Sequence, residues 1–381
     1  MLTSRRSILL GCVAAGFASQ AEALASGAPA GNGSVVDIAD AAALMAMVNA
    51  GVQASGGKTY RLAANTDFGT PAIHNCDFRS NPITIVGQPG ARFQWLDFAN
   101  AHGMTWKTFN AYGGQPGVVD AAVAMHDGCS DMSFDGVTVL TGAPEGKPAD
   151  GCGWFFRNCG DANITIKGQR DASKPDVSGK GNAINVSDSG GVLLNDLTIT
   201  NHGVDGILLA GADGVTIDGC FGMNFYCREG DHPDFIQGFN AFDHTPIRNI
   251  TIKNCGWERG IGSSAANGYF FEDVHNLTVQ GCWSYGASFN SIGIARGDTV
   301  LFDDNYFVGF RDYGSTVVVR GGTANAKVTK NHAGSVNFYG PEGPYRDAVE
   351  SGNKLIGSVK AGDFGGLDGW LAKHPNARAR V

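Results

Sequence analysis

One short pattern recurs along this chain and constrains its fold more than any other feature. A turn pair is followed by an alternating β-branched strand and then by Gly or Asn, often with Cys. Copies stand at residues 131–139 (DMSFDGVTV), 162–168 (ANITIKG), 191–199 (GVLLNDLTI) and 214–220 (GVTIDGC). More follow at 249–255 (NITIKNC), 276–282 (NLTVQGC) and 299–305 (TVLFDDN). Successive copies start 23 to 35 residues apart, the length of one solenoid rung with variable loops. Alternation sends every second side chain inward. A lone strand of this kind cannot bury its inner face, so neighbouring rungs must stack.

Composition agrees. The chain holds 56 glycines and 13 prolines, with glycine about twice its ordinary share and no collagen period, which implies many tight bends. Cys220, Cys255 and Cys282 fall at the same place in three rungs and are expected as an interior column of small apolar side chains about 4.8 Å apart. Their oxidation state stays open. No C-x-x-C or paired Cys/His spacing points to zinc.

The ends read differently. Residues 1–25 combine Arg5-Arg6, a small-residue apolar stretch and Ala23-Leu24-Ala25, the pattern of a cleaved twin-arginine export signal. Export places the remaining single domain, 26–381, in the periplasm or outside the cell. No segment is long and apolar enough for stable membrane insertion. Ile38, Leu44, Met47, Val48 and Val52 have helical spacing, predicting a helix over about 37–54 that caps the N-terminal end of the solenoid. The tail, about 341–381, holds a second helical stretch near Leu367 that is expected to cover the other end.

From about Asp37 to Ile356 the chain resembles the right-handed parallel β-helix proteins, among them pectate lyases, polygalacturonases and alginate lyases and epimerases. The cap helix, rung spacing and Asn/Cys columns carry the resemblance. It implies an all-β, right-handed parallel β-helix and a glycan substrate, but not one reaction.

A second strand in each rung aligns segments 181–186, 204–209, 233–238, 266–271 and 289–294. The alignment puts Asn182, Asp205, Asp234, Asn267 and Asn290 in one column, where Asn and Asp also serve to bond backbone at bends. Beside it, 228–234 (REGDHPD) gathers five ionisable groups in a chain with 17% charged residues, and such clusters mark functional sites. His202 arrives from the preceding rung, and Gln237 projects outward from the following strand.

Two reactions fit. In β-elimination from a uronate, His232 is the candidate base, Arg228, Arg259 or Arg296 neutralises the carboxylate, and Tyr226 is the proton donor. Tyr226, Asp231, His232 and Asp234 are similar to the Tyr, Asp and His cluster of β-helix alginate epimerases, although that family's Asp-Pro-His run stands here as Asp231-His232-Pro233. In hydrolysis, Asp205 and Asp234 act as base and acid, as polygalacturonases do. The paired Asp-Asp and Arg-x-Lys elements of those enzymes are not at the matching places here. A third reading is a non-catalytic glycan binder that stacks sugars on Trp257, Trp283, Tyr285 and Tyr313. Calcium bridging Asp205, Asp231 and Asp234 to a uronate is compatible with the oxygen donors. The net charge of -8 argues against nucleic acid as a partner. The oligomeric state is not readable from the sequence.

Overall fold

The computed structural model describes residues 34–51, 57–113, 121–141, 152–168, 170–173, 182–202, 204–225, 233–239, 246–260, 267–286, 290–339 and 347–380. These form a parallel β-helix with three faces. Each coil visits them in turn, as in Ile207–Ala210, Thr216–Asp218 and Phe221–Met223 on the first, second and third faces. The third face is an 11-stranded parallel sheet. The first two are joined into a 23-stranded sheet because Leu96–Lys107 runs across the corner unbroken, pairing with Ala72–Asp77 on one side and Ile83–Gly87 on the other.

The corners explain the composition. Between the second and third faces, one residue per coil takes a left-handed conformation: Gly219, Asn254, Gly281 and Asp304 in succession, with φ between 54° and 65°. Gly, Asn and Asp tolerate that region best. The residue after each of these forms the inner column. Cys220, Cys255 and Cys282 are buried, as expected, and are free thiols; the column continues as Asn305, Asn331 and Asn353. Burial pushes the Cys220 and Cys255 thiols up, so they serve as packing groups.

The interior is aromatic toward the N-terminus, where Phe98 meets Trp106 edge-on and Phe134 meets Trp154. Ile184, Ile207 and Ile236 follow, and Phe235, Tyr269 and Phe307 form a second buried aromatic group in the later coils. Each such side chain stabilises the stack by roughly 1.5–3 kcal/mol.

Both terminal expectations need correction. The first helix, α1 (Ala41–Ala50), is shorter than expected. Asp40 caps it by accepting the Ala43 N–H, and Asp37 and Ile38 lie instead in the strand Val35–Ile38, paired with Thr59–Leu62. The Asp37–Arg61 ion pair across that register favours the strand. Leu44, Met47 and Val48 enter the main core, and Val52 lies outside the described residues.

The second helix, α2 (Gly365–Leu371), does not close the C-terminal end. Leu367 and Trp370 pack on the outer side of the third face against Trp283, Tyr285 and Tyr306. The coils themselves run on through Lys354–Leu355. Residues 1–25 lie outside the described residues. Among the described residues no helix is long and apolar enough to cross a membrane.

Candidate functional site

The column aligned from the sequence sits where the chain enters the first face. Asp205 and Asp234 lie two residues before the inward Ile207 and Ile236 and share their parity, so they turn toward the body of the protein. Asp205 is 5% exposed and Asp234 is 0% exposed. The Asp234 backbone N–H donates to Asp205 Oδ1 at 2.8 Å. Two steps along, the Asn290 N–H donates to Asn267 Oδ1 at 3.3 Å. These are rung-to-rung contacts of a corner ladder. Asn182, also in the column, is buried and accepts the Gly153 N–H on its own carbonyl.

Asp234 differs from its neighbours. Burial pushes its carboxyl up to about 7, with Asn267 offsetting part of the effect, and neither of its oxygens has a well-formed hydrogen bond among the described residues. Burial thus favours the protonated acid here more than at an ordinary aspartate, the direction a proton donor needs. His202 is buried close to this corner, with its ring 6.5 Å from Phe225. Tyr226, Arg228, Asp231 and His232 lie outside the described residues, so the expected base, its partners and the calcium set of Asp205, Asp231 and Asp234 are not brought together in what is described.

The remaining candidates separate. Arg259 follows the third-face strand Gly256–Glu258, bonds Asp312 at 2.9 Å and lies over Phe310 and Tyr313. Arg296 follows the first-face strand Ile292–Ile294, is exposed and pairs with Asp273. Three of the expected sugar-stacking aromatics are not surface groups. Trp257 points into the main core. Trp283 and Tyr285 point outward but lie under the C-terminal segment, with Trp283 Nε1–H donating to the Arg378 carbonyl and the Tyr285 hydroxyl to Asp363. The Trp283 indole lies across Gly256, where a Cβ would fall 2.2 Å from it. Tyr313 alone of the four is exposed.

The first face has a different outer surface from the other two. The C-terminal segment covers part of the third. The second presents Lys107, Asp135, Lys167, Asn195, Asp218 and Lys253 in one register, an alternating charged surface suited to water. One outward row of the first runs Asp97, Ala124, Phe155, Asn185, Leu208, Gln237 and Phe270. A second runs His74, Ala99, His126, Arg157 and Ser187. Apolar, amide and ionisable groups thus share one face, and because the first row runs on past Phe270 through Gly293, Val318 and Asn337, Gln237 stands near its middle.

The sequence reading missed the N-terminal part of this face. His74 Nε2 lies 2.8 Å from one Asp97 oxygen, and His126 Nε2 lies 2.9 Å from the other. His126 Nδ1 lies 2.8 Å from Asp127. Burial depresses the His126 ring, but its hydrogen bonds to Asp127 and Asp97 outweigh this and raise it overall. Among the described residues, His74, Asp97 and His126 form a group able to hold a metal ion.

Residues 163–343 match a family model described as right handed beta helix region, and the chain is a right-handed parallel β-helix. No curated protein matches its sequence. Among solved structures it is similar to a GH136 lacto-N-biosidase from Eubacterium ramulus, with TM-score 0.50 and 12% identity over 79% of this chain. It spans 63% of that protein's length. The surface protein and adhesin PfbA of Streptococcus pneumoniae gives TM-score 0.48 and 11% identity, covering 86% of this chain and 87% of that one. An alginate lyase from Paenibacillus sp. str. FPU-7 gives 0.35 and 13%, covering 85% and 99%.

Proposed function

We propose that this right-handed parallel β-helix is an exported enzyme that holds a polysaccharide along the outer side of its first face and cleaves a uronate-containing glycan by β-elimination. The observation that carries the reading is that outer side. Phe155, Leu208 and Phe270 offer apolar surface to sugar rings, while Asn185, Gln237 and Arg157 offer hydrogen bonds and charge along the same line. Sugars need both kinds of contact. Export rests on the twin-arginine pattern of residues 1–25.

Elimination needs a base for the proton alpha to the uronate carboxylate, a cation to hold the developing charge and a donor to the leaving oxygen. His232, Arg228 and Tyr226 are assigned these roles, on the segment that leads into Asp234 and Gln237. Without departure of the leaving oxygen, the same abstraction followed by reprotonation gives an epimerase. Hydrolysis by Asp205 and Asp234 is the second reading, favoured by the Asp234 carboxyl at about 7, which suits a general acid. Calcium at Asp205 and Asp234 has less support, since Asp205 already accepts a backbone N–H.

A large side chain on the middle of the outer first face tests the location. On any acidic glycan that the wild type turns over, Gln237→Trp is expected to reduce turnover at dilute substrate at least ~10-fold, the order of one lost binding contact. Thr251→Trp, on the second face, should leave it unchanged. Equal loss in both variants, or in neither, removes the first face as the substrate surface.

A further inference from the structure

We propose that His74, Asp97 and His126 bind a divalent first-row transition ion of the zinc type at the N-terminal end of the first face. The site lies on the same face as the proposed substrate surface but apart from its middle, since His126 stands four coils, roughly 19 Å, before Gln237. One potential ligand atom from each of the three residues lies within 4.8 Å of the others.

The coil geometry explains the convergence. His74 and His126 occupy the same outward row two coils apart, with Ala99 in register between them. The alanine methyl leaves space above it, and the two imidazoles lean toward each other with ring centroids 6.1 Å apart. Asp97 comes from the middle coil, two residues earlier, and offers one oxygen to each ring. Its side chain is 12% exposed against 40% for His74 and 24% for His126. The carboxylate thus forms the floor, and the outer side of the cluster is open.

Ligands around a tetrahedral zinc are about 3.3 Å apart; each histidine nitrogen already lies 2.8 or 2.9 Å from an Asp97 oxygen and the three ligand atoms lie within 4.8 Å of one another, so side-chain rotation alone brings them onto one ion. The second observation is Asp127. Its carboxylate takes up His126 Nδ1 at 2.8 Å and turns Nε2 toward the cluster, the outer partner that metal-ligating histidines almost always have. Two imidazole nitrogens and one carboxylate suit zinc and its neighbours far better than calcium or magnesium. Three protein ligands leave one position for water or an anion. Arg157, exposed, follows His126 one coil along the same row.

The test uses tag-free mature protein stripped of metal, titrated with zinc chloride by calorimetry and with cobalt(II) by visible absorption. One equivalent per chain is expected, with the cobalt bands of a four- or five-coordinate site. His74→Ala combined with His126→Ala should weaken zinc binding at least ~100-fold, and Asp127→Asn about 10- to 100-fold. Far-UV circular dichroism checks that each variant folds. Excess calcium should not displace the zinc. The proposal is overturned if the wild type binds no zinc, if the folded double variant binds as the wild type does, or if calcium competes on equal terms.

Discussion

Replacing Asn305 by Ala is expected to lower the stability of the protein by about 2–6 kcal/mol, because two buried backbone groups lose their partners at about 1–3 kcal/mol each. Asn305 Oδ1 accepts the Cys282 N–H at 2.8 Å, and its Nδ2 donates to the Val279 carbonyl at 3.0 Å and to Asn331 Oδ1 at 2.8 Å. All of these contacts are buried, so water cannot replace the amide. Asn305→Ala leaves a Cys282 N–H facing a methyl group and shortens the asparagine column that links three coils. Gln280→Ala provides the contrast, since Gln280 bonds Asp303 from an exposed position, where the change should stay within ~0.5 kcal/mol. Urea unfolding of both variants measures the difference. Equal midpoints would mean that the amide column does not hold the coils together.

His232→Ala is expected to reduce turnover by about 10²- to 10⁴-fold, the usual range for a lost general base. The Michaelis constant should change little if the residue acts only on the proton in flight. Asp205→Asn is the informative partner. It keeps the oxygen that accepts the Asp234 N–H and so preserves the corner, while removing the carboxylate that hydrolysis requires. Loss confined to the His232 variant supports elimination, and loss confined to the Asp205 variant supports hydrolysis. Full activity in both removes this corner from the chemistry.

The stacked coils were legible because the repeat is local: strand parity and corner residues recur within each 23- to 35-residue unit. That sufficed to place Cys220, Cys255 and Cys282 in one column and Asp205 and Asp234 in another. It did not suffice for the first coils. Leu96–Lys107 turns its corner within one strand, at the left-handed Asn100 and Gly103, and it precedes the first recognised repeat at residue 131, so the alignment that places Asp97 beside His74 and His126 was hidden. Those three residues are 23 and 29 positions apart in sequence, and only stacking makes them neighbours.

The aromatic residues were misjudged for two different reasons. In Gly256–Glu258 the middle residue of a three-residue strand points inward, which takes Trp257 into the core. Trp283 and Tyr285 do point outward, but a segment 75 to 95 residues later in the chain covers them. Local alternation fixes which way a side chain points. What lies over it depends on contacts that local patterning does not encode.

If the first face serves glycan cleavage by elimination, the product carries an unsaturated uronate. The mature protein would be incubated with a panel of acidic and neutral polysaccharides, following ultraviolet absorbance of unsaturated uronate alongside reducing ends. Both are expected to rise together on at least one uronate-containing glycan, because each elimination leaves a double bond beside the carboxylate. Reducing ends that rise without the absorbance, or a panel on which neither changes, would contradict cleavage by elimination.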